Sequence, residues 1–190
     1  MAFSEVVDAR APADDRAERL VAAARELANE TGSSAFTVAQ VAARAGLSLK
    51  SFYRCFPGKD DLLLALIGDD SSIGAALVRG RITDHPEPMR AYVDALFAMA
   101  SRPDATGYAG ILVREHRRLS EVNPDGLDRA LSPLTELLAT LIPTEDPDRD
   151  ARTMLGVCIS GIHDVVLGRV SDPHEHARYL YRFCTDGLGC

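Results

Sequence analysis

The sequence has few lysines, few cysteines and no long apolar run, and each scarcity removes a class of function. The longest apolar runs, Leu62 to Ile67 and Ala95 to Ala100, are far too short to span a bilayer, so no membrane partner is expected. The four cysteines, Cys55, Cys158, Cys184 and Cys190, are widely scattered with no CxxC pair. That spacing argues against a zinc knuckle or a disulfide-stapled secreted domain and for reduced thiols. Met1 to Arg10 carries acids and lacks the basic flank and apolar block of a secretory signal, which makes the cytoplasm the expected address. There is no nucleotide-binding glycine loop, no GxSxG, no HExxH and no repeat period. Cys158 and His163 have no base–nucleophile spacing to support them as catalytic groups, so the chain is expected to be no enzyme, with no metal and no cofactor.

What is present is an ordinary globular composition, 46% hydrophobic with a mean hydropathy of -0.05, in 190 residues. That length admits a small head on a larger body. The net charge of -7 argues against a nucleic-acid partner until its distribution is followed. Residues 61 to 190 hold 13 basic and 20 acidic side chains, which accounts for the whole deficit. Between Thr37 and Lys59, by contrast, Arg44, Lys50, Arg54 and Lys59 meet no acid at all. Lys50 and Lys59 are also the only lysines in the chain. A short acid-free basic segment on an acidic body is the footprint of a protein that touches phosphate with one end only.

The same segment is punctuated as a helix-turn-helix. Ala17, Leu20, Val21, Ala24, Leu27 and Ala28 recur at helical spacing, giving a first helix from about Asp14 to Glu30 that Thr31 and Gly32 end. Thr37 with Gln40 forms a capping-box pattern that opens a second helix, and Gly46 supplies the left-handed residue that stops it. Ser48 caps a third helix from about Leu49 to Phe56. Phe52 and Phe56, four apart, should face inward and leave Leu49, Lys50, Ser51, Tyr53, Arg54 and Cys55 outside. Such a polar, basic and aromatic face suits the major groove of double-stranded DNA. Pro57-Gly58 turns the chain, and Lys59-Asp60-Asp61 begins a fourth helix with acids where its dipole favours them. Lys59, beside the free amides of that helix, is a natural phosphate clamp.

The run from Thr37 to Ser48, continued by Phe52-Tyr53-Arg54-Cys55-Phe56-Pro57-Gly58-Lys59-Asp60-Asp61-Leu62, resembles the DNA-binding signature of TetR/AcrR-type bacterial regulators. The resemblance covers about Arg16 to Ile67, roughly a third of the chain. It implies that Thr37 and Tyr53 contact phosphates, that Lys59 anchors the fourth helix on the DNA backbone, and that the stretch Ser48, Leu49, Lys50, Ser51 to Arg54 faces bases. Cys55 departs from the pattern, standing where the family usually has His or Tyr. A phosphate contact is then missing there or is supplied by Arg16 or Arg19; alternatively Cys55 is a redox-sensitive residue on the DNA face.

Beyond Ser71 the sequence reads as helices at 86 to 101, 105 to 119, 124 to 141, 147 to 168 and 173 to 187, with prolines near their starts. Pro133 is the exception and should kink or split its helix. No strand pattern appears. The expected fold is all-α: a three-helix helix-turn-helix head in residues 1–62, ordered from about 14, joined by a fourth helix to a helical effector-binding and dimerisation body in 63–190, about nine helices in all. The helix holding Met154 to Leu167 is apolar on several faces and must be covered on more than one side. By the family plan the last two helices pair with those of a second copy, giving a homodimer that reads a pseudo-palindromic operator. The candidate cavity residues for a small apolar or amphipathic effector are Tyr92, Leu96, Phe97, Met99, Tyr108, Leu112, Met154 and Cys158, each of which is also a plausible core residue. Arg114, Glu115 and His116 offer either a polar handle or a solvated face with an internal salt bridge. His163 is either a structural histidine or a ligand contact, and His174 with His176 is a weak metal signal.

Overall fold

The computed structural model describes residues 13–101 and 106–188, apart from the side chains of 13, 14, 106–109 and 188, and these residues form nine α-helices and no strand. They are α1 (Ala13–Thr31), α2 (Val38–Arg44), α3 (Leu49–Cys55), α4 (Lys59–Ile82), α5 (Pro88–Ala100), α6 (Thr106–Val122), α7 (Pro124–Ala139), α8 (Pro147–Val166) and α9 (Pro173–Leu188). Local chemistry accounts for most of the boundaries. The Thr37 hydroxyl accepts from the Gln40 amide at 3.2 Å while the Gln40 side chain accepts from the Thr37 amide at 2.7 Å, completing the capping box of α2. Ser48, Asn123 and Asp146 cap α3, α7 and α8 in the same manner, and Pro88, Pro124 and Pro147 open their helices where a missing N–H costs nothing.

The turn between α2 and α3 is fixed by Gly46 at φ 66°. There the Leu47 amide reaches back to the Ala42 carbonyl at 2.8 Å and the Gly46 amide to the Ala43 carbonyl at 3.1 Å. Arg19 of α1 donates to the Ala45 carbonyl at 2.6 Å, so the turn is pinned to the first helix as well as closed on itself. A Cβ at position 46 would lie 3.3 Å from that guanidinium. Gly46→Ala therefore meets both a left-handed backbone, costing about 1–2 kcal/mol, and a displaced Arg19. A lowered midpoint in thermal unfolding is the expected result; an unchanged midpoint would show that the turn relaxes freely.

Two cores are built on this frame. Leu20, Ala24, Val41, Phe52, Leu62 and Leu66 fill the head, and Ile111, Leu119 and Leu127 from α6 and α7 join the same cluster. Val78, Tyr92, Val93, Phe97, Leu138 and Met154 centre the second, closed by Ala177 and Leu180 of α9. The 24-residue α4 supplies both, its first half to the head and its second to the body, and it packs most extensively on α7. The apolar patterning gives no helix between Ser71 and Pro86, yet α4 continues to Ile82. Of its buried positions there, Ser71, Gly74 and Ala75 are small or polar and only Val78 is a larger apolar residue, while Ile73 and Leu77 are exposed, which hides the period. Nor does Pro133 split α7. The carbonyl it leaves without a donor belongs to Arg129, an exposed residue whose backbone water can serve.

Candidate functional site

On α3 the residues Leu49, Lys50, Tyr53 and Arg54 stand at i, i+1, i+4 and i+5, one strip of the helix, and all four are exposed. Leu49 is 47% and Tyr53 58% exposed, unusual for large apolar side chains with no packing duty. The opposite face holds the helix down through Phe52, whose ring meets Tyr53 edge-on at 5.4 Å and Phe56 at 5.9 Å. Ser51 was expected on the outer face and is instead 4% exposed. Its amide donates to the Ser48 hydroxyl at 3.1 Å and the two hydroxyls lie 3.1 Å apart, so the cap draws Ser51 inward. Cys55, also expected outside, is half-buried against the head core.

The four cations of the acid-free segment do not all point outward. Glu30 grips Arg44 in a two-pronged pair at 2.7 and 2.8 Å, with Glu26 at 3.4 Å. That hydrogen bond holds the Glu30 carboxyl below its ordinary range. Lys59, expected as a phosphate clamp, is part-buried: its ammonium donates to the Ser34 carbonyl and sits 4.8 Å from the Phe36 ring centre. It ties the start of α4 to the loop before α2. Among the described residues Lys50 and Arg54 have no acidic partner, and Thr37 and Ser48 are exposed beside them with their hydroxyls serving as caps.

In the body a cavity of about 480 Å³ opens between α4, α5, α6, α7 and α8 and reaches Asn29 of α1. Leu96, Met99 and Leu112 line it, as expected from sequence. Tyr92, Phe97, Met154 and Cys158 do not; all four are buried in the second core. The Tyr92 hydroxyl donates to the Leu134 carbonyl at 3.0 Å, and burial pushes its ionisation far up. Burial likewise pushes the Cys158 thiol up to about 12, so it stays protonated and is a poor nucleophile. Rotation accounts for Val93 and Phe97, which lie on another face of α5, but Tyr92 shares the face of Leu96 and Met99 and differs by depth, one to two turns nearer the start of the helix with its hydroxyl tied to the Leu134 carbonyl. Tyr108 lies outside the residues whose side chains are described. The unexpected lining comes from Ile73 and Leu77 on the unpatterned half of α4 and from Ile159 and Ile162 on α8.

Polar groups connect this cavity to the head. Arg25 of α1 donates to both Asp69 and Asp70 of α4 at 2.7 Å. From α6, Glu115 accepts from the Ser34 hydroxyl, and Arg118 donates to Glu115 at 2.8 Å and to both oxygens of Asp60 at 2.5 and 3.1 Å. Glu115 thus pairs with Arg118 and not within the expected trio Arg114, Glu115 and His116, and the network reaches the head. The Arg118 hydrogen bond depresses the Asp60 carboxyl, so the tie is intact above the ordinary carboxylate range and is lost only as pH falls through the lowered folded value. On the same helix Leu112, Val113 and His116 line the cavity, and burial keeps His116 neutral against a smaller opposing pull from Asp128.

On the far side of the body, Gly156 and Ser160 of α8 and the rings of Tyr179 and Phe183 of α9 face outward, the rings stacked at 6.4 Å and 54% and 60% exposed. Behind them α8 crosses close to its neighbours: a Cβ on Gly161 would lie 2.3 Å from Leu180 Cδ1 and 2.9 Å from Phe97 Cζ. His163 is half-buried, and Asp164 beside it pairs with Arg169 at 3.1 Å. His176 packs between Phe97 and Tyr179. Among the described residues no group of three or more His, Cys, Asp or Glu is placed to hold a metal ion, and no helix is long and apolar enough to cross a membrane.

Residues 20–66 match the sequence pattern of the family described as "Bacterial regulatory proteins, tetR family". Among solved structures the chain is similar to a TetR transcriptional regulator from Rhodococcus sp. RHA1, at 24% identity and a TM-score of 0.71 over 92% of this chain and 96% of that one. It is also similar to FadR from Bacillus subtilis in complex with stearoyl-CoA, at 16% identity and 0.67 over 90% and 98%. A third is RolR in complex with resorcinol, at 19% identity and 0.61 over 93% of each chain. No curated protein matches the sequence.

Proposed function

We propose that this chain, which carries the DNA-binding domain of the tetR-family regulators and folds as they do, is a homodimeric repressor released from its operator by a small molecule held in the body. The observation that carries this reading is the outward strip Leu49, Lys50, Tyr53 and Arg54 on a helix whose turn is pinned by Gly46 and Arg19. Such a strip offers hydrogen bonds to base edges from Arg54 and Lys50 and a ring and hydroxyl to the sugar-phosphate backbone from Tyr53, with Thr37 and Ser48 alongside. Lys59 and Ser51 contribute by holding the helices in place. We keep the functional division into a head, residues 1–62, and an effector-binding body, residues 63–190.

The outward face of α8 and α9 supports pairing with a second copy: small residues allow close approach and Tyr179 and Phe183 supply the apolar area. Two heads related by a twofold axis read an operator with matching symmetry, so selection from a random duplex pool should recover an inverted repeat. A recovered sequence without that symmetry would contradict the dimer. The apolar cavity suits a small hydrophobic or amphipathic effector, in keeping with the resorcinol and stearoyl-CoA held by regulators of the same fold.

Release follows from the construction of α6. A ligand pressing on Leu112, Val113 and His116 shifts a helix whose Glu115 and Arg118 grip the head at Ser34 and Asp60. The coupling is reciprocal, so ligand weakens DNA binding by the same factor that DNA weakens ligand binding. Arg118→Ala should leave DNA affinity nearly unchanged and reduce the ligand's effect on it severalfold, read by titrating operator with and without effector. Full release in the variant would remove Arg118 from the path.

A further inference from the structure

We infer that the molecule this cavity takes is uncharged and carries a hydroxyl group at the end facing the head, where Ser71, Asn29 and His116 receive it. The inference rests on the ligand-binding reading above and gives that ligand a chemistry. Most of the cavity wall is aliphatic, from Leu77 and Met99 through Leu134 to Ile162, and it sets no directional demand. The polar lining is Asn29, Asp70, Ser71 and His116, and all four lie toward the head: Asn29 is on α1, Asp70 is bonded to Arg25 of α1, Ser71 follows Asp70, and His116 is next to Glu115, which holds Ser34.

Ser71 is the least expected of these. It is 4% exposed, on the cavity face of α4, and among the described residues its hydroxyl has no hydrogen-bond partner. Its neighbour Ser72, facing outward, returns its hydroxyl to the Gly68 carbonyl at 2.9 Å. The hydroxyl is open to the cavity and not sealed in protein, so its partner must come from the cavity's contents, and a polar side chain in an apolar pocket points to a polar group of the occupant. The ring of His116, half-buried, also has no hydrogen-bond partner among the described residues, whereas Asn29 is exposed and its amide is open to solvent.

Charge narrows the class further. Among the described residues no Lys or Arg lines the cavity, so a carboxylate or phosphate would enter without a counter-charge. The one acid, Asp70, already holds Arg25, which it shares with Asp69, so an ammonium there would have to displace a guanidinium at 2.7 Å. The neighbouring charges Asp128, Glu136, Asp148 and Arg152 edge a different hollow, across the wall made by His116, Leu131, Leu155 and Ile159. A neutral hydroxyl fits what remains. Serine, asparagine and neutral histidine each donate and accept, and a carboxylate only accepts, so a group that does both satisfies the cluster better than a carbonyl.

The test uses the full chain and three probes of one shape: naphthalene, 2-naphthol and 2-naphthoate, titrated calorimetrically, with operator binding by the same preparation measured in parallel. The expected result is 2-naphthol binding about tenfold or more tighter than either of the others, with Ser71→Ala removing that advantage while leaving naphthalene unchanged. Naphthoate binding as tightly as naphthol, an equal loss for naphthol and naphthalene in Ser71→Ala, or no binding of any probe would overturn the inference. The two readings fail separately: operator binding without a hydroxyl preference sinks only the ligand class, and a hydroxyl preference without operator binding sinks only the regulator.

Discussion

Replacing Arg54 by alanine is expected to weaken operator binding by about 1–3 kcal/mol, roughly 5- to 150-fold, and to relax the preference at the base pair it reads. The argument is one of availability. Arg44 spends its guanidinium on Glu30 and Glu26, and Lys59 is drawn to the Ser34 carbonyl, so the outward positive charge of the segment rests on Lys50 and Arg54. Of these, Arg54 presents the planar fork that matches a guanine edge with two parallel bonds, which the point charge of Lys50 does less well. Lys59→Ala is the informative contrast. If Lys59 ties the start of α4 to the head, its loss lowers thermal stability and weakens all sequences alike. If it meets phosphate directly, stability is unchanged and the salt dependence flattens by about one counterion. Anisotropy titrations of operator and scrambled duplex at several salt concentrations separate the two.

The second large effect is expected far from DNA. Gly161→Ala places a methyl group 2.9 Å from Phe97 Cζ and 2.3 Å from Leu180 Cδ1. Leucine can change rotamer, but Phe97 is fully buried between α5, α8 and α9 and has nowhere to turn. The helices must separate, and overpacking of this kind costs about 1–3 kcal/mol. For a chain of this size that is a fall in the unfolding midpoint of about 2–12 °C. Because the outward faces of the same two helices form the proposed dimer contact, the variant should also dissociate at higher concentration in sedimentation. A midpoint within a degree of the wild type would show that the α8–α9 crossing is looser than the close approach implies.

What could be read from the sequence was set by range. The capping box at Thr37, the left-handed Gly46, the Ser48 cap and the prolines that open α7 and α8 each involve backbone chemistry within four residues and stand where the pattern put them, whereas α5 begins at Pro88, two residues beyond the expected start. The exposed strip of α3 followed from the spacing of Phe52 and Phe56 alone. Ser51 and Cys55 were placed outside by the same spacing, which does not show that a serine three residues after a serine cap can satisfy itself indoors. The tie of Lys59 to the Ser34 carbonyl was not legible because that acceptor is 25 residues away, which no local pattern reveals. The cavity was the least legible part. Its walls draw on five helices, and the half of α4 that contributes most is disguised by Ser71, Gly74 and Ala75, small residues that leave space rather than fill it. The large residues expected as lining, Tyr92, Phe97 and Met154, are packed in the second core instead.

The central claim, that a ligand-holding body controls a sequence-reading head, is tested most directly by titrating the protein onto labelled DNA from immediately upstream of its own gene against a scrambled duplex. The account predicts tight, salt-dependent binding to the upstream DNA with a preference of about a thousandfold or more, lost in Arg54→Ala. Equal weak binding to both duplexes, unchanged in that variant, would contradict it.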